Sequence, residues 1–577
     1  MAQAEPKENH EDLDRAVSAL NRHKDAWAKT SNAERIQVLS EIKDHLMKVA
    51  EGWVKAAARH KQIPDSSSLV GEEWSSGPYP VMAACNALME TLSKMEGKAF
   101  LDDIPLRALP NGQTCATVMP HSIWDRLIYS GIKAEVWMQK GINAGNLKQN
   151  TAGGYDVPAA ARSGKIALVL GAGNVAAITP LDCFQKLFLE NQVVILKMNP
   201  VNDYLVDYFQ VALKPLIDRN ALRIVRGEAD IGEYLCNHPD VDEIHITGAQ
   251  SSHDIIIWGA GEEGQKNKAA GTPRNTRRIT SELGGVGPTI VVPGPWSKAD
   301  IRFQAEHVAT QKLHNSGFNC VACQMLILPK SWDKTSAFVD TLKDVIATAP
   351  SRPLYYPGAK ERVDDFARHA QNAEPFDRKN ADPVVVAPFD KEKDRWFEQN
   401  EVFGPALSTY MLEGSADAEE YLRNAIAYAN TNLHGTLGAN IIIHPATLRE
   451  IGKKKFDEII TELHYGCIAV NAWTGLGFIA VQTPWGGFPG ATLADVGSGI
   501  GSVHNTYMFD KPERTVIYAP FRPFPRTMLS GGMTLLPNPP WFITNKRSTQ
   551  LGKRLTAFAY KPSWLKVPGI FINALRG

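Results

Sequence analysis

The chain has 577 residues, 44% hydrophobic and 21% charged, with 62 basic and 62 acidic side chains. That length is too great for one core and implies roughly two to four domains, while the balanced charge gives no global field for nucleic acid. The seven cysteines are scattered and odd in number, which excludes a disulfide framework and points to a reducing compartment.

The opening MAQAEPKENHEDLD is polar and acidic, without the basic start and apolar core of a signal peptide. The longest uncharged run, Ile166 to Leu181, is too short and too interrupted by Gly, Asn and Pro to cross a bilayer. A cytoplasmic protein is expected, or one held to a membrane only at its surface.

Two packing helices open the fold. Leu13, Val17, Leu20 and Trp27 share one face of the first, and Ser31 to Glu34 reads as a capping box. Leu39, Ile42, Leu46, Val49 and Trp53 follow at spacings of three and four. From 60 to 160 the pattern is less regular, with loops around Pro64–Pro80 and Pro105–Gly112. An α/β rhythm begins at 165: strands KIALVL, QVVILKM, ALRIVR and VDEIHIT alternate with helical segments. Short apolar runs in such alternation imply a parallel, twisted sheet covered on both faces.

GAGNVA at 171–176 fits the loose G-x-G-x-x-G/A phosphate loop after a strand. A tight turn that needs glycine explains it equally well. In SELGGVGPTIVV (281–292), Glu282 precedes a Gly-Gly turn and an apolar strand. In NSGFNCVACQ (315–324), Cys320 sits in a small polar loop between a helix and a strand. A cysteine thiolate is a strong nucleophile, and a nearby carboxylate can activate the water that releases an acyl group.

Together these stretches resemble the aldehyde dehydrogenase superfamily, which carries a Glu-Leu-Gly-Gly glutamate upstream of its cysteine loop. Further landmarks occur in order: ILKMNP (195–200), HPDVDEIHITGAQ (238–250), EVFGPAL (401–407), GCIAVN (466–471), TPWGGFPG (483–490) and GSGIG (497–501). The resemblance implies an α/β fold with a dinucleotide-binding domain over residues 1–287, including the N-terminal helices, and a catalytic domain over 288–480. A return segment over 481–513 would lead to the cofactor and oligomerisation region. It also implies roles. Cys320 is the nucleophile and Glu282 the base. Lys197 reaches the adenosine ribose, and Thr247 and Gly248 precede a helix whose positive end faces the pyrophosphate. Glu401 holds the nicotinamide ribose, and Phe403 packs near the ring. The cofactor is NAD or NADP, the substrate an aldehyde, and the assembly a homo-oligomer.

The chain departs from the family pattern at several positions. Pro200 replaces the glutamate that binds the ribose hydroxyls, so NADP is expected to be tolerated. Ala249 replaces a serine and Val286 a lysine. Nine residues before Lys186 stands Ala177, not the oxyanion asparagine, which leaves Asn174 as the nearest candidate. Trp473, Phe478 and Ile479 follow the GCIAVN motif and suggest an apolar aldehyde tunnel for a medium or long aliphatic or an aromatic substrate. Cys320 and Cys323 form a C-x-x-C without further ligands at zinc spacing, so no metal site is expected.

Three functions fit these residues. The first is oxidation of an aldehyde to a carboxylic acid through a thiohemiacetal and a thioester on Cys320. The second is acyl exchange with coenzyme A, and the third a catalytically silent binding or scaffold protein. Residues 514–577 have no counterpart in the family and hold ten Lys/Arg with no Asp or Glu. Such an extension either wraps the catalytic domain or a neighbouring subunit, or meets an anionic membrane surface.

Overall fold

The structure is a computed structural model and describes residues 10–577 except 371, 379–380 and 415–416. Helices Glu11–Ala28 and Asn32–His60 open the chain, and the second begins at a Ser31–Glu34 capping box. Their apolar faces, among them Leu20, Leu39, Ile42 and Trp53, are fully buried. Helix Pro78–Ser93 packs on the second of them. Three strands follow: β1 (Leu106–Ala108), β2 (Thr114–Met119) and β3 (Lys133–Met138).

The α/β rhythm of the sequence becomes a five-stranded sheet. Its strands are β4 (Ile166–Leu170), β5 (Val193–Lys197), β6 (Leu222–Val225), β7 (Glu243–Gly248) and β8 (Arg278–Leu283). They lie in the order β6-β5-β4-β7-β8, all parallel. β4 and β5 are buried almost throughout, as expected for strands covered on both faces.

Gly284 to Gly287 carry the chain into a second, eleven-stranded sheet. Its further strands are β9 (Pro288–Val291), β10 (Met325–Pro329), β11 (Glu374–Arg378), β12 (Ala381–Phe389), β13 (Ala406–Leu412), β14 (Gly438–Ile442) and β15 (Cys467–Val470). A two-stranded ribbon, β16 (Pro484–Trp485) with β17 (Val503–His504), precedes β18 (Pro512–Tyr518). The sheet order is β1-β2-β3-β18-β15-β14-β9-β10-β13-β12-β11. The chain therefore has an α/β fold with a parallel-sheet nucleotide-type unit and a second α/β unit.

The C-terminal segment is not a free appendage. Its first residues form β18, parallel to β15 and antiparallel to β3. Arg522 pairs with Asp300 at 2.7 Å, and helix Ser548–Tyr560 packs on helices Val70–Ser75 and Pro78–Ser93. Gly71 lies so close to this helix that a Cβ there would meet the Ser548 carbonyl carbon at 2.4 Å.

Candidate active site

A cavity of about 880 Å³ lies at the C-terminal ends of β4, β5 and β7 and reaches the cysteine loop. Parallel sheets present such crevices there because the loops diverge beyond the strand ends. Its wall includes Asn174, Lys197, Thr247, Gly248, Glu282, Cys320, Glu401 and Phe403. Eight of the ten residues singled out from the sequence thus converge on one space.

Cys320 and Glu282 meet at the inner end. Their side chains are near enough that each shifts the other's titration, with Trp485 also close to the Glu282 carboxyl, one oxygen of which is buried without a hydrogen-bond partner. Burial pushes the Glu282 carboxyl up to about 7. Burial, with the Glu282 carboxylate beside it, raises the Cys320 thiol far above its ordinary value, because both favour the neutral form. Cys320 is half-buried on the cavity wall, whereas Cys323 is buried behind it, its thiol near Thr289 and its N–H donated to the Gln311 carbonyl.

The loop that carries Cys320 is held in an unusual backbone conformation. Helix Lys298–Leu313 ends in residues with positive φ: Asn315 (52°), Ser316 (53°) and Gly317 (80°). A Cβ on Gly317 would approach the Gly404 carbonyl oxygen to 2.4 Å, so glycine is required there. A buried ionic network from distant segments pins this turn. Glu72 accepts the Asn315 N–H at 3.0 Å and pairs with Arg352, which donates to Ser316 Oγ at 3.0 Å. Lys61 pairs with Glu73 at 3.0 Å and donates to Asn315 Oδ1 at 3.3 Å. No sequence motif signalled these four charges, because their significance lies in meeting across the fold.

Asn174 joins the same assembly. Its Nδ2 donates to the Phe318 carbonyl at 2.9 Å, and its own carbonyl accepts from Lys61 Nζ at 3.2 Å. An amide has two N–H donors, so one remains beside the cysteine loop. Trp473 and Phe478 are placed differently. Trp473 is buried and donates Nε1–H to the Val321 carbonyl, while Phe478 packs on Ala172, Val175 and Ile178. Neither lines the 880 Å³ cavity. Their neighbours Leu476, Ile479 and Ala480 instead line a second cavity of about 300 Å³ under helix Ser548–Tyr560.

The outer part of the large cavity has the donors and the space for a dinucleotide. Ala249 begins helix Gln250–Trp258 without a side-chain cap, and Gly248, Ala249 and Ser252 line the wall. A Cβ on Gly173 would come within 2.8 Å of the Asn199 side chain, so a larger residue there would displace that side chain. Glu401 is half-buried, one of its oxygens is buried without a hydrogen-bond partner, and burial pushes its carboxyl up to about 8. Phe403, at φ 44°, turns its ring toward Tyr356 (5.2 Å) and Phe318 (5.8 Å). Lys197 loses basicity through burial, partly offset by Asp203, Glu228 and Asp230. Glu228, Asp230 and Pro200 also line this end. Thr247 pairs with Glu282 in the β7–β8 register, and its hydroxyl donates to buried Asp182 at 2.9 Å.

Comparison with known proteins gives the family. The aldehyde dehydrogenase family pattern matches residues 186–506. The chain is 24% identical over 452 residues to aldehyde dehydrogenase family 3 member F1 of Arabidopsis thaliana, covering 74% of this chain and 79% of that one. It is 27% identical over 248 residues to the geranial dehydrogenase of Castellaniella defragrans, spanning 39% of this chain and less than half, 46%, of that relative. Among solved structures, an NAD-dependent aldehyde dehydrogenase from Sinorhizobium meliloti superposes with a TM-score of 0.57 at 17% identity, over 90% of this chain and 89% of that one. With the matched region covering more than half of its length, the chain belongs to the aldehyde dehydrogenase family, as a divergent member.

Proposed function

We propose that the protein oxidises an apolar aldehyde to a carboxylic acid with a nicotinamide dinucleotide, using Cys320 as nucleophile and Glu282 as base. The observation that carries this reading is that Cys320 and Glu282 line the large cavity together, near enough to shift each other's titration.

The chemistry follows from that pair. At rest both groups are neutral over much of the acid range, since burial disfavours either charge. The Cys320 thiol gives up its proton to solvent, and the thiolate adds to the aldehyde carbon. The remaining N–H of Asn174, with the Cys320 backbone N–H, would stabilise the resulting oxyanion; one such donor is worth about 10²–10³ in rate. When bound, the nicotinamide supplies the acceptor for the hydride that leaves the thiohemiacetal carbon. Glu401, Phe403, Lys197 and the uncapped helix end after Gly248 would hold the dinucleotide. Glu282 then removes a proton from water, which attacks the thioester, and the thiolate leaves as the acid forms. A base near the nucleophile favours water over coenzyme A as acyl acceptor.

Glu228 and Asp230 would take over the part of the carboxylate missing at Pro200, disfavouring a 2′-phosphate through like-charge repulsion. NAD is then the better cofactor, with NADP tolerated because both acids are exposed and screened. Leu476 and Ile479, with the packing role of Trp473, support an apolar aldehyde; the relative named for geranial is consistent with such a substrate. The test is reduced-cofactor absorbance with a series of straight-chain aldehydes, with and without coenzyme A. Turnover without coenzyme A, rising with chain length beyond two carbons, is expected. A strict requirement for coenzyme A, or rates that fall steadily with length, would overturn the reading.

A further inference from the structure

The C-terminal segment leaves two groups of large apolar side chains in solvent. Leu529 and Met533 are 80% and 83% exposed, and Trp564 and Leu565 are 59% and 92% exposed. The two groups flank one short helix, Ile123–Ile128. At one end of it, Leu535 N–H donates to Ser130 Oγ at 2.9 Å. At the other, the Trp564 ring lies 4.6 Å from Trp124, next to Ile123, which is itself 60% exposed. These side chains therefore form the rim of one surface, with no partner element over them among the described residues.

That rim borders the 300 Å³ cavity. Trp124 and Ile128 line it from the short helix, Leu555 and Phe558 from helix Ser548–Tyr560, and Leu476 and Ile479 from the stretch after the GCIAVN motif.

The C-terminal segment brings charge of one sign to the rim. Residues 514–577 contain no acid. Arg514, Arg522 and Lys553 pair with Glu513, Asp300 and Glu51. Arg526, Arg554, Lys561 and Arg576 are exposed and form no ion pair among the described residues. The acids that face the cavity are already engaged. Asp125 caps the short helix, and Glu90 bonds Lys94 and His121. Exposed apolar side chains interspersed with unpaired cations match a bilayer with anionic headgroups, where cations meet phosphate and apolar groups enter the interface.

We propose that this rim docks on an anionic lipid surface and sets the 300 Å³ cavity against it, so that an aldehyde dissolved in the lipid enters from the membrane. The docking stands on the exposed side chains and charges alone; the delivery rests on the reading of the protein as an oxidase of apolar aldehydes.

Co-sedimentation of the full chain with vesicles of phosphatidylcholine, with or without an equal amount of phosphatidylglycerol, tests the docking. The protein should pellet with the anionic vesicles at low salt, much less at high salt, and not with phosphatidylcholine alone. Leu529→Glu with Leu565→Glu should cut the bound fraction at least tenfold. Both side chains are in solvent and outside both cavities, so turnover of soluble propanal should not change. Absence of binding by the wild type at low salt, undiminished binding by the double variant, or conversion of a self-associated wild type to monomers by the double variant would each overturn the docking. For delivery, turnover of hexadecanal carried in anionic vesicles should fall about tenfold in the double variant. Unchanged hexadecanal turnover with lost binding would overturn delivery alone. Failure of the oxidase reading shows as inactivity of the wild type on propanal, which leaves the sedimentation result intact.

Discussion

Glu282 and Cys320 come together on the wall of one cavity although Glu282 stands in the last parallel strand of one sheet and Cys320 in a loop of the other unit. They do so because Gly284 to Gly287 turn the chain between the sheets within a few residues, and because the loop of Cys320 is bent back by three consecutive left-handed residues.

Cys320 is proposed over Cys323 as nucleophile on its accessibility. Cys320→Ala should lower aldehyde oxidation by about 10⁴-fold or more, as loss of a covalent nucleophile does, while dinucleotide binding measured by fluorescence persists. Cys323→Ala should keep most activity, since that thiol faces the interior near Thr289. An inactive Cys323 variant beside an active Cys320 variant would reverse the assignment.

The rate should rise with pH through about 7. Glu282 is useful only when ionised, and burial holds its carboxyl near that value; the apparent midpoint belongs to the coupled Glu282–Cys320 pair. Glu282→Gln should remove this limb and leave an acyl group on Cys320, seen as a burst of reduced cofactor followed by slow turnover. Steady turnover equal to wild type would remove Glu282 from the mechanism.

Cofactor choice should follow the carboxylates near Lys197. NAD is expected to be preferred about tenfold, near 1.4 kcal/mol. Glu228→Gln with Asp230→Asn should raise kcat/KM for NADP and leave that for NAD within a few-fold. An unchanged ratio of the two would show that neither acid reads the ribose.

Gly284→Ala tests the place given to Glu401. The new Cβ would lie 2.0 Å from Glu401 Oε2, so the carboxylate must swing away while Cys320 is untouched. The expected result is a higher KM for the dinucleotide with normal labelling of Cys320 by a thiol reagent.

Lys61→Met removes the 3.0 Å partner of buried Glu73 and leaves it only Arg352, at 3.7 Å, at a cost of up to about 3–5 kcal/mol. Thermal unfolding should fall by several degrees. Because Lys61 also holds the Asn174 carbonyl and Asn315, kcat should fall in the fraction that remains folded at low temperature.

The nucleotide-type sheet was legible in the chain because its strands are short apolar runs, each bounded by turn residues, and local pattern suffices for a parallel sheet. The cysteine loop, the Glu-Leu-Gly-Gly turn and the Glu-x-Phe-Gly-Pro stretch were legible for a similar reason: each is a local backbone geometry that demands particular residues. Three matters depended on tertiary structure. Residues 514–518, which composition assigns to a basic extension, are β18 of the central sheet, because their neighbours β3 and β15 come from distant segments. Trp473, Phe478 and Ile479 look alike as a tunnel wall in the sequence, yet of the three only Ile479 lines the 300 Å³ cavity; an apolar residue is equally content in a core or a cavity, and only its neighbours decide. The Lys61, Glu72, Glu73 and Arg352 network was invisible in the chain. Charged residues read as surface one at a time, and their burial is tolerable only once all four have met.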